Sequence, residues 1–124
     1  MLESKFEKKC IIELRKLPYS YWPDKVDSPT IRGIPDRVGC VMGVYCALEF
    51  KRNKTEARKQ TGRTVLQRKT LRDIHAAGGF AAFVYPENWD HVLNKIKAII
   101  ALGGTKNENN VHGERKRAAK ETLI

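Results

Sequence analysis

No stretch of this 124-residue sequence is apolar for long enough to span a bilayer, and its N-terminus is a charged amphipathic segment rather than a hydrophobic leader. A soluble, intracellular, cytoplasmic protein is therefore expected. Cysteine is scarce and odd in number. Cys10, Cys40 and Cys46 lie in apolar runs without Cys-x-x-Cys spacing, which argues against a disulfide framework or a zinc site and for reduced core residues. His75, His91 and His112 are too scattered to act as one ligand set. The chain has no His-Asn-His constellation, no serine-nucleophile motif, no phosphate-binding glycine loop and no internal repeat, so several hydrolytic and nucleotidyl mechanisms drop out. Acid is also short: 14 Asp and Glu stand against 24 Lys and Arg, a formal net charge of +10.

That imbalance is local. Residues 51–73 carry Lys51, Arg52, Lys54, Arg58, Lys59, Arg63, Arg68, Lys69 and Arg72 against only Glu56 and Asp73. Such a segment is either a solvated helix face or a site for a polyanion; the near absence of opposite charge favours the polyanion, and a phosphodiester backbone is the natural one. Residues 52–62 lack hydrophobic periodicity and read as a mobile basic loop leading into a helix.

Immediately before this run lie the acids of most interest. Tyr45 to Lys51 reads as a strand with Tyr45, Ala47, Glu49 and Lys51 on one face and Cys46, Leu48 and Phe50 on the other. Arg37 to Met42 is a second strand candidate, joined to the first by a tight turn at Gly43-Val44. Folding back on that turn brings Asp36 beside the far end of the next strand, where Glu49 and Lys51 lie. Two carboxylates with Lys51 alongside match the needs of a hard divalent ion, which takes one or two protein carboxylates and leaves other positions to water and phosphate. Taken singly, Glu-x-Lys is a common pairing on a solvated strand, and Gly-x-Pro-Asp is a common turn.

A helix is predicted from Thr64, with Thr64-x-x-Gln67 as a capping box, to the Gly78-Gly79 pair. Gln67, Leu71 and Ile74 share its inner face, so Gln67 either caps Thr64 or reaches the lysine, a water or a phosphate. The first helix shows Phe6, Cys10, Leu14 and Leu17 at helical spacing and stops near Pro18. Glu3 extends this stripe more nearly than Glu7 or Glu13, as an inward ligand or as a solvated acid at the helix N-terminus. Residues 19–30 read as an irregular connection in which Ser28 and Arg32, just beyond it, serve as turn cap and surface cation or touch phosphate. Phe80 to Tyr85 reads as a buried strand parallel to its predecessor, and a last helix starts near Asn88 with Trp89, Val92, Leu93, Ile96, Ile99 and Ile100 on its apolar face. The order is αββαβα in one α/β domain over residues 1–104, followed by a basic tail of weak order over 105–124.

The run Arg32-Gly33-Ile34-Pro35-Asp36, then Glu49-Phe50-Lys51, Gly62-Arg63-Thr64-x-x-Gln67 and Ala77-Gly78-Gly79 resembles the VRR-NUC branch of the PD-(D/E)XK nuclease superfamily, particularly its stand-alone phage members. That resemblance implies a restriction-endonuclease-like core with a mixed central sheet flanked by helices. It implies a Mg²⁺- or Mn²⁺-dependent endonuclease, in which Asp36, Glu49 and the Phe50 carbonyl hold the metal, with Glu3 as a further, water-mediated ligand. Lys51 would assist the water and Gln67 support the site. Arg32, Arg52, Lys54, Arg58, Lys59 and Arg63 become candidate contacts to DNA. Members similar to Holliday-junction resolvases work as homodimers on branched DNA, and a phage-encoded protein would act in the host cytoplasm. Two other readings share the basic surface: a DNA-binding module of the same fold without chemistry, and a basic RNA-associated structural protein.

Overall fold

In the computed structural model, residues 2–25, 34–104 and 123–124 are described. The elements run α1 (Glu3–Arg15), β1 (Ser20–Tyr21), β2 (Arg37–Val41), β3 (Val44–Phe50), α2 (Lys54–Ala57), α3 (Gly62–Ala76), β4 (Phe80–Val84) and α4 (Trp89–Ala101). The four strands form one mixed sheet in the order β1-β2-β3-β4, antiparallel through β3 and then parallel between β3 and β4. The expected α/β class and the parallel return to β4 are present; β1 and α2 are additions to the expected order.

Strand alternation divides the core. Val41, Val44, Cys46, Leu48, Phe50, Ala82 and Val84 pack with Phe6, Cys10, Ile11 and Leu14 of α1 and with Trp89, Val92 and Ile96 of α4. Ala47, Ala81 and Phe83 face the other way and pack with Leu71 of α3. The sheet is thus sandwiched, with α3 on the face that Glu49 shares.

Several boundaries differ from the sequence reading, each for a local reason. The hairpin turns at Met42-Gly43, not Gly43-Val44: Val41 pairs with Val44, and both intervening residues take positive φ, 47° at Met42 and 80° at Gly43. This is the two-residue turn whose twist suits a hairpin, and the register forces Met42 into a conformation that favours glycine. Residues 52–62 are not one loop, because Asn53 Oδ1 accepts the Glu56 N–H at 2.9 Å and starts the single turn of α2. Helix α3 begins two residues before Thr64, with Thr61 at its N-cap position, so Thr64 lies inside the helix and Gln67 has no capping role. Cys10 and Cys46 are buried as expected, whereas Cys40 is exposed because it points away from the α1/α4 layer.

The aromatics of residues 19–22 split. Trp22 is buried and lies against Gly39, where an added Cβ would come 2.5 Å from Trp22 Cε3 and 2.6 Å from the Tyr21 carbonyl oxygen. Gly39→Ala is expected to destabilise the fold by about 1–3 kcal/mol, because both neighbours are fixed by packing or by strand pairing. A urea midpoint equal to that of the unsubstituted protein would contradict this.

The last two residues of the tail, 123–124, lie against the sheet. Leu123 is buried, and its carbonyl accepts the Phe83 N–H at 2.8 Å along the open edge of β4. An unpaired edge strand leaves donors and acceptors unsatisfied, and Leu123 covers one of them. The basic tail residues Arg115, Lys116, Arg117 and Lys120 lie outside the described residues.

Candidate active site

The hairpin register builds the site. Arg37 pairs with Leu48, so Asp36 lies opposite Glu49 at the open end of the hairpin. The Phe50 N–H donates to Asp36 Oδ2 at 2.9 Å, fixing the carboxyl against the end of β3. Glu49 is only 3% exposed, and burial together with the neighbouring Asp36 carboxyl raises its pKa. From α3, Gln67 Nε2 donates to Glu49 Oε1 at 3.0 Å. The three residues from separate segments named by the sequence therefore form one connected polar cluster beneath α3.

Burial dominates the electrostatics. It pushes the Glu49 carboxyl up to about 9, with further upward pressure from the Asp36 charge and hydrogen bond, partly offset by the Lys51 ammonium. At neutral pH Glu49 therefore holds a proton unless another cation takes its place. Gln67 is 7% exposed, and its Oε1 is buried with no hydrogen-bond partner among the described residues. A buried acceptor left unpaired costs about 1–3 kcal/mol, so it marks a place for a donor.

Lys51 follows on the same strand face, half-buried, with its backbone N–H held by the Val84 carbonyl at 2.8 Å. Its Nζ stands 5.9 Å from the Phe83 ring centroid, and the Arg68 guanidinium is 5.7 Å from the same ring. Phe83 pairs with Glu49 across β3 and β4. One aromatic ring thus serves two cations, an arrangement that favours ammonium and guanidinium electrostatically.

Glu3 and Glu7 exchange the places expected of them. Glu3 is exposed, although burial and the nearby Asp36 raise its pKa, with Lys51 acting in the opposite direction. Glu7 is 8% exposed and inward. Ile11 is buried as well as Phe6, Cys10 and Leu14, which turns the apolar face of α1 toward position 7, one helical turn before Ile11. Glu7 Oε2 accepts from Arg37 Nε at 3.0 Å, and Lys25 Nζ lies 3.7 Å from Glu7 Oε1 and 3.8 Å from Asp36 Oδ1. Glu7, Lys25 and Arg37 were not among the sequence candidates. Including Ile11 in the α1 stripe would have found Glu7; Lys25, in an irregular segment, gave no periodic signal.

Of the basic candidates, Arg52 and Lys59 both pair with Glu56, at 3.5 and 3.0 Å. Lys54, Arg58 and Arg63 are exposed and make no ion pair among the described residues, while Arg32 lies outside them. Arg68 is committed to the fold, donating to the Ala57 and Lys59 carbonyls at the end of α2. A groove of about 740 Å³ runs past Arg58, Arg68, Lys69, Arg72 and Asp73 to Leu123 and to Phe83, the strand partner of Glu49.

Among the described residues no group of three or more His, Cys, Asp or Glu side chains is arranged to hold a metal ion. Asp36 and Glu49 form a two-carboxylate set of hard oxygen donors, which suits Mg²⁺ or Mn²⁺ completed by water and backbone oxygen. The unpaired Gln67 Oε1 and the proton-holding Glu49 both fit a group that brings positive charge and donors into the cluster. The chain matches no protein-family model, no curated protein and no solved structure. Among the described residues no helix is long and apolar enough to cross a membrane.

Proposed function

We propose that this chain is a Mg²⁺- or Mn²⁺-dependent endodeoxyribonuclease of the PD-(D/E)XK kind, nearest in pattern to VRR-NUC proteins. The observation carrying this reading is the buried Asp36–Glu49–Gln67 cluster with Lys51 on the same strand face. In this reading α1, the β2–β3 hairpin, α3, β4 and α4 correspond to the αββαβα nuclease core, with β1 and α2 as additions.

Asp36, Glu49 and the Phe50 carbonyl would hold the ion, with Glu3 reaching it through water. When bound, such an ion supplies Lewis-acid polarisation of a phosphoryl oxygen and makes a coordinated water more acidic. Lys51 offsets charge that develops on the phosphate oxygens and orients the attacking water. Gln67 fixes Glu49 through its amide N–H and offers its unpaired oxygen to that water or to Lys51. Lys54, Arg58 and Arg63, with Arg52, Lys59 and Arg32, hold the phosphate backbone without reading sequence.

Branched DNA such as a four-way junction is the substrate we favour, with a homodimer supplying one site for each of two strands. Purified protein with Mg²⁺ or Mn²⁺ is expected to cleave at least one of four substrates, namely four-way junction, flap, single strand and linear duplex, and to prefer the branched ones. If all four remain intact, the nuclease reading fails.

A further inference from the structure

Helix α3 covers only part of its sheet face. It packs on β3 and β4, where Ala47, Ala81, Phe83 and Leu71 form its core. On the same face, the pairing Tyr21↔Cys40↔Tyr45 runs across β1, β2 and β3, and directly paired residues in antiparallel strands project to the same side. Tyr21 is 67% and Tyr45 49% exposed, and Cys40 between them is exposed. The two tyrosines are thus two strand spacings apart, roughly 9–10 Å, with the small Cys40 side chain as the floor between them.

This row is connected to the carboxylate cluster. Along β3, Tyr45, Ala47 and Glu49 occupy alternate positions of one face; along β2, Val38 and Cys40 continue the alternation that begins at Asp36. Asp36 and Val38 are half-buried and Cys40 is exposed, so the surface opens from the carboxylates toward the tyrosines along β2, while along β3 Ala47 is buried between Glu49 and Tyr45. Four residue steps of strand lead from Glu49 to Tyr45, about 13–14 Å, a distance that an extended nucleic-acid strand covers in two or three nucleotides.

We propose that Tyr21 and Tyr45 form a stacking platform for unpaired bases of a single strand leading away from the Asp36–Glu49 site. The nucleic-acid class of this ligand rests on the proposed function. Aromatic side chains on an open sheet face stack bases irrespective of sequence, because every base has a π face. The chain's net charge of +10 favours a polyanion as its partner and opposes association with a second copy of the chain. The platform also gives a physical basis for branch preference, since junctions and flaps present unstacked bases and a continuous duplex does not.

The test is binding in chelator, by fluorescence anisotropy, of a labelled single-stranded oligonucleotide, its abasic counterpart and a duplex of equal length. Tyr21→Ala and Tyr45→Ala are each expected to weaken binding of the normal single strand by about 5- to 100-fold. Binding of the abasic strand and of the duplex should change less than about 2-fold, and Tyr45→Phe should restore most of the loss. Both substitutions are at exposed positions, and circular dichroism with a urea titration checks that the sheet survives. Equal losses on normal and abasic strands, or no loss on either, overturn the platform. So does a wild-type dimer in sedimentation that Tyr45→Ala converts to monomer, which would make this face an interface between copies. Because no cleavage is measured, tyrosine-dependent binding by a protein that cuts none of the four substrates sustains the platform and removes the nuclease reading; cleavage without tyrosine dependence does the reverse.

Discussion

Lys51→Ala is expected to lower metal-dependent cleavage by about 10²–10³-fold while leaving the fold intact, the loss typical of removing one preorganised group that stabilises transition-state charge. The ammonium is half-buried near Phe83 and beside the Glu49 carboxyl, where a positive charge acts more strongly than in bulk water. Asp36→Asn should abolish cleavage more completely, because it converts an anionic oxygen ligand into a neutral amide. The two variants part company on binding. Asp36→Asn removes a negative charge from the path of a phosphate and should bind DNA as tightly as the unsubstituted protein, or more tightly. Lys51→Ala should weaken binding modestly and reduce the slope of log affinity against log salt by about one, if the ammonium contacts a phosphate. Single-turnover cleavage and a salt titration in chelator separate the two effects. Cleavage by Asp36→Asn at the unsubstituted rate would remove the carboxylate pair from the chemistry.

How these residues came to be legible follows from what strands and helices encode. Asp36, Glu49 and Lys51 could be placed together because alternation and a glycine turn fix a hairpin. The turn lies one residue earlier than expected, which shifts the pairing by two positions, from Asp36 opposite Lys51 to Asp36 opposite Glu49, and so keeps all three on one face. Gln67 was legible as an inward residue of α3, since Leu71 lies four positions on; its bond to Glu49 was not, because it depends on where the crossover sets the helix on the sheet. Glu7 is hidden for the opposite reason. The stripe Phe6, Cys10, Leu14 and Leu17 leaves it outside, and only the burial of Ile11, one turn further on, widens that stripe toward it. Strand β1 is only two residues long, too short for any periodic signal, and it exists because Ser20 and Tyr21 pair with Val41 and Cys40. Leu123 could not be placed on the edge of β4 from sequence either. It docks through a backbone hydrogen bond to Phe83 and by burial of Leu123 in the core, at the far end of a segment without apolar periodicity.

Glu49→Gln should abolish metal-dependent cleavage and, in the same protein, raise the stability of the metal-free fold. The sign follows from the raised carboxyl. Between the ordinary carboxylate range and about 9, the unfolded chain has released the Glu49 proton and the folded chain retains it. The folded state then binds more protons than the unfolded one, so this group makes stability fall as pH rises through that window and leaves it level on either side. Glutamine has no proton to lose, can still accept from Gln67 Nε2, and can donate to Asp36 in place of the carboxyl proton. At pH 8 the expected gain is about 1–3 kcal/mol, with each kcal/mol worth about 3–6 °C of Tm in a chain of this length, and the pH slope from this group should vanish. A divalent cation bound by the ionised carboxylates should act the other way. It should raise the Tm of the unsubstituted protein at pH 8, by about 2.7 kcal/mol of stability at a hundred times its Kd, and do little for Glu49→Gln. Thermal melts of both proteins at pH 5 and pH 8, with chelator and with Mn²⁺, read all of this at once. A Mn²⁺ response of equal size in the two proteins would mean that Glu49 is a buried structural acid and that the ion binds elsewhere.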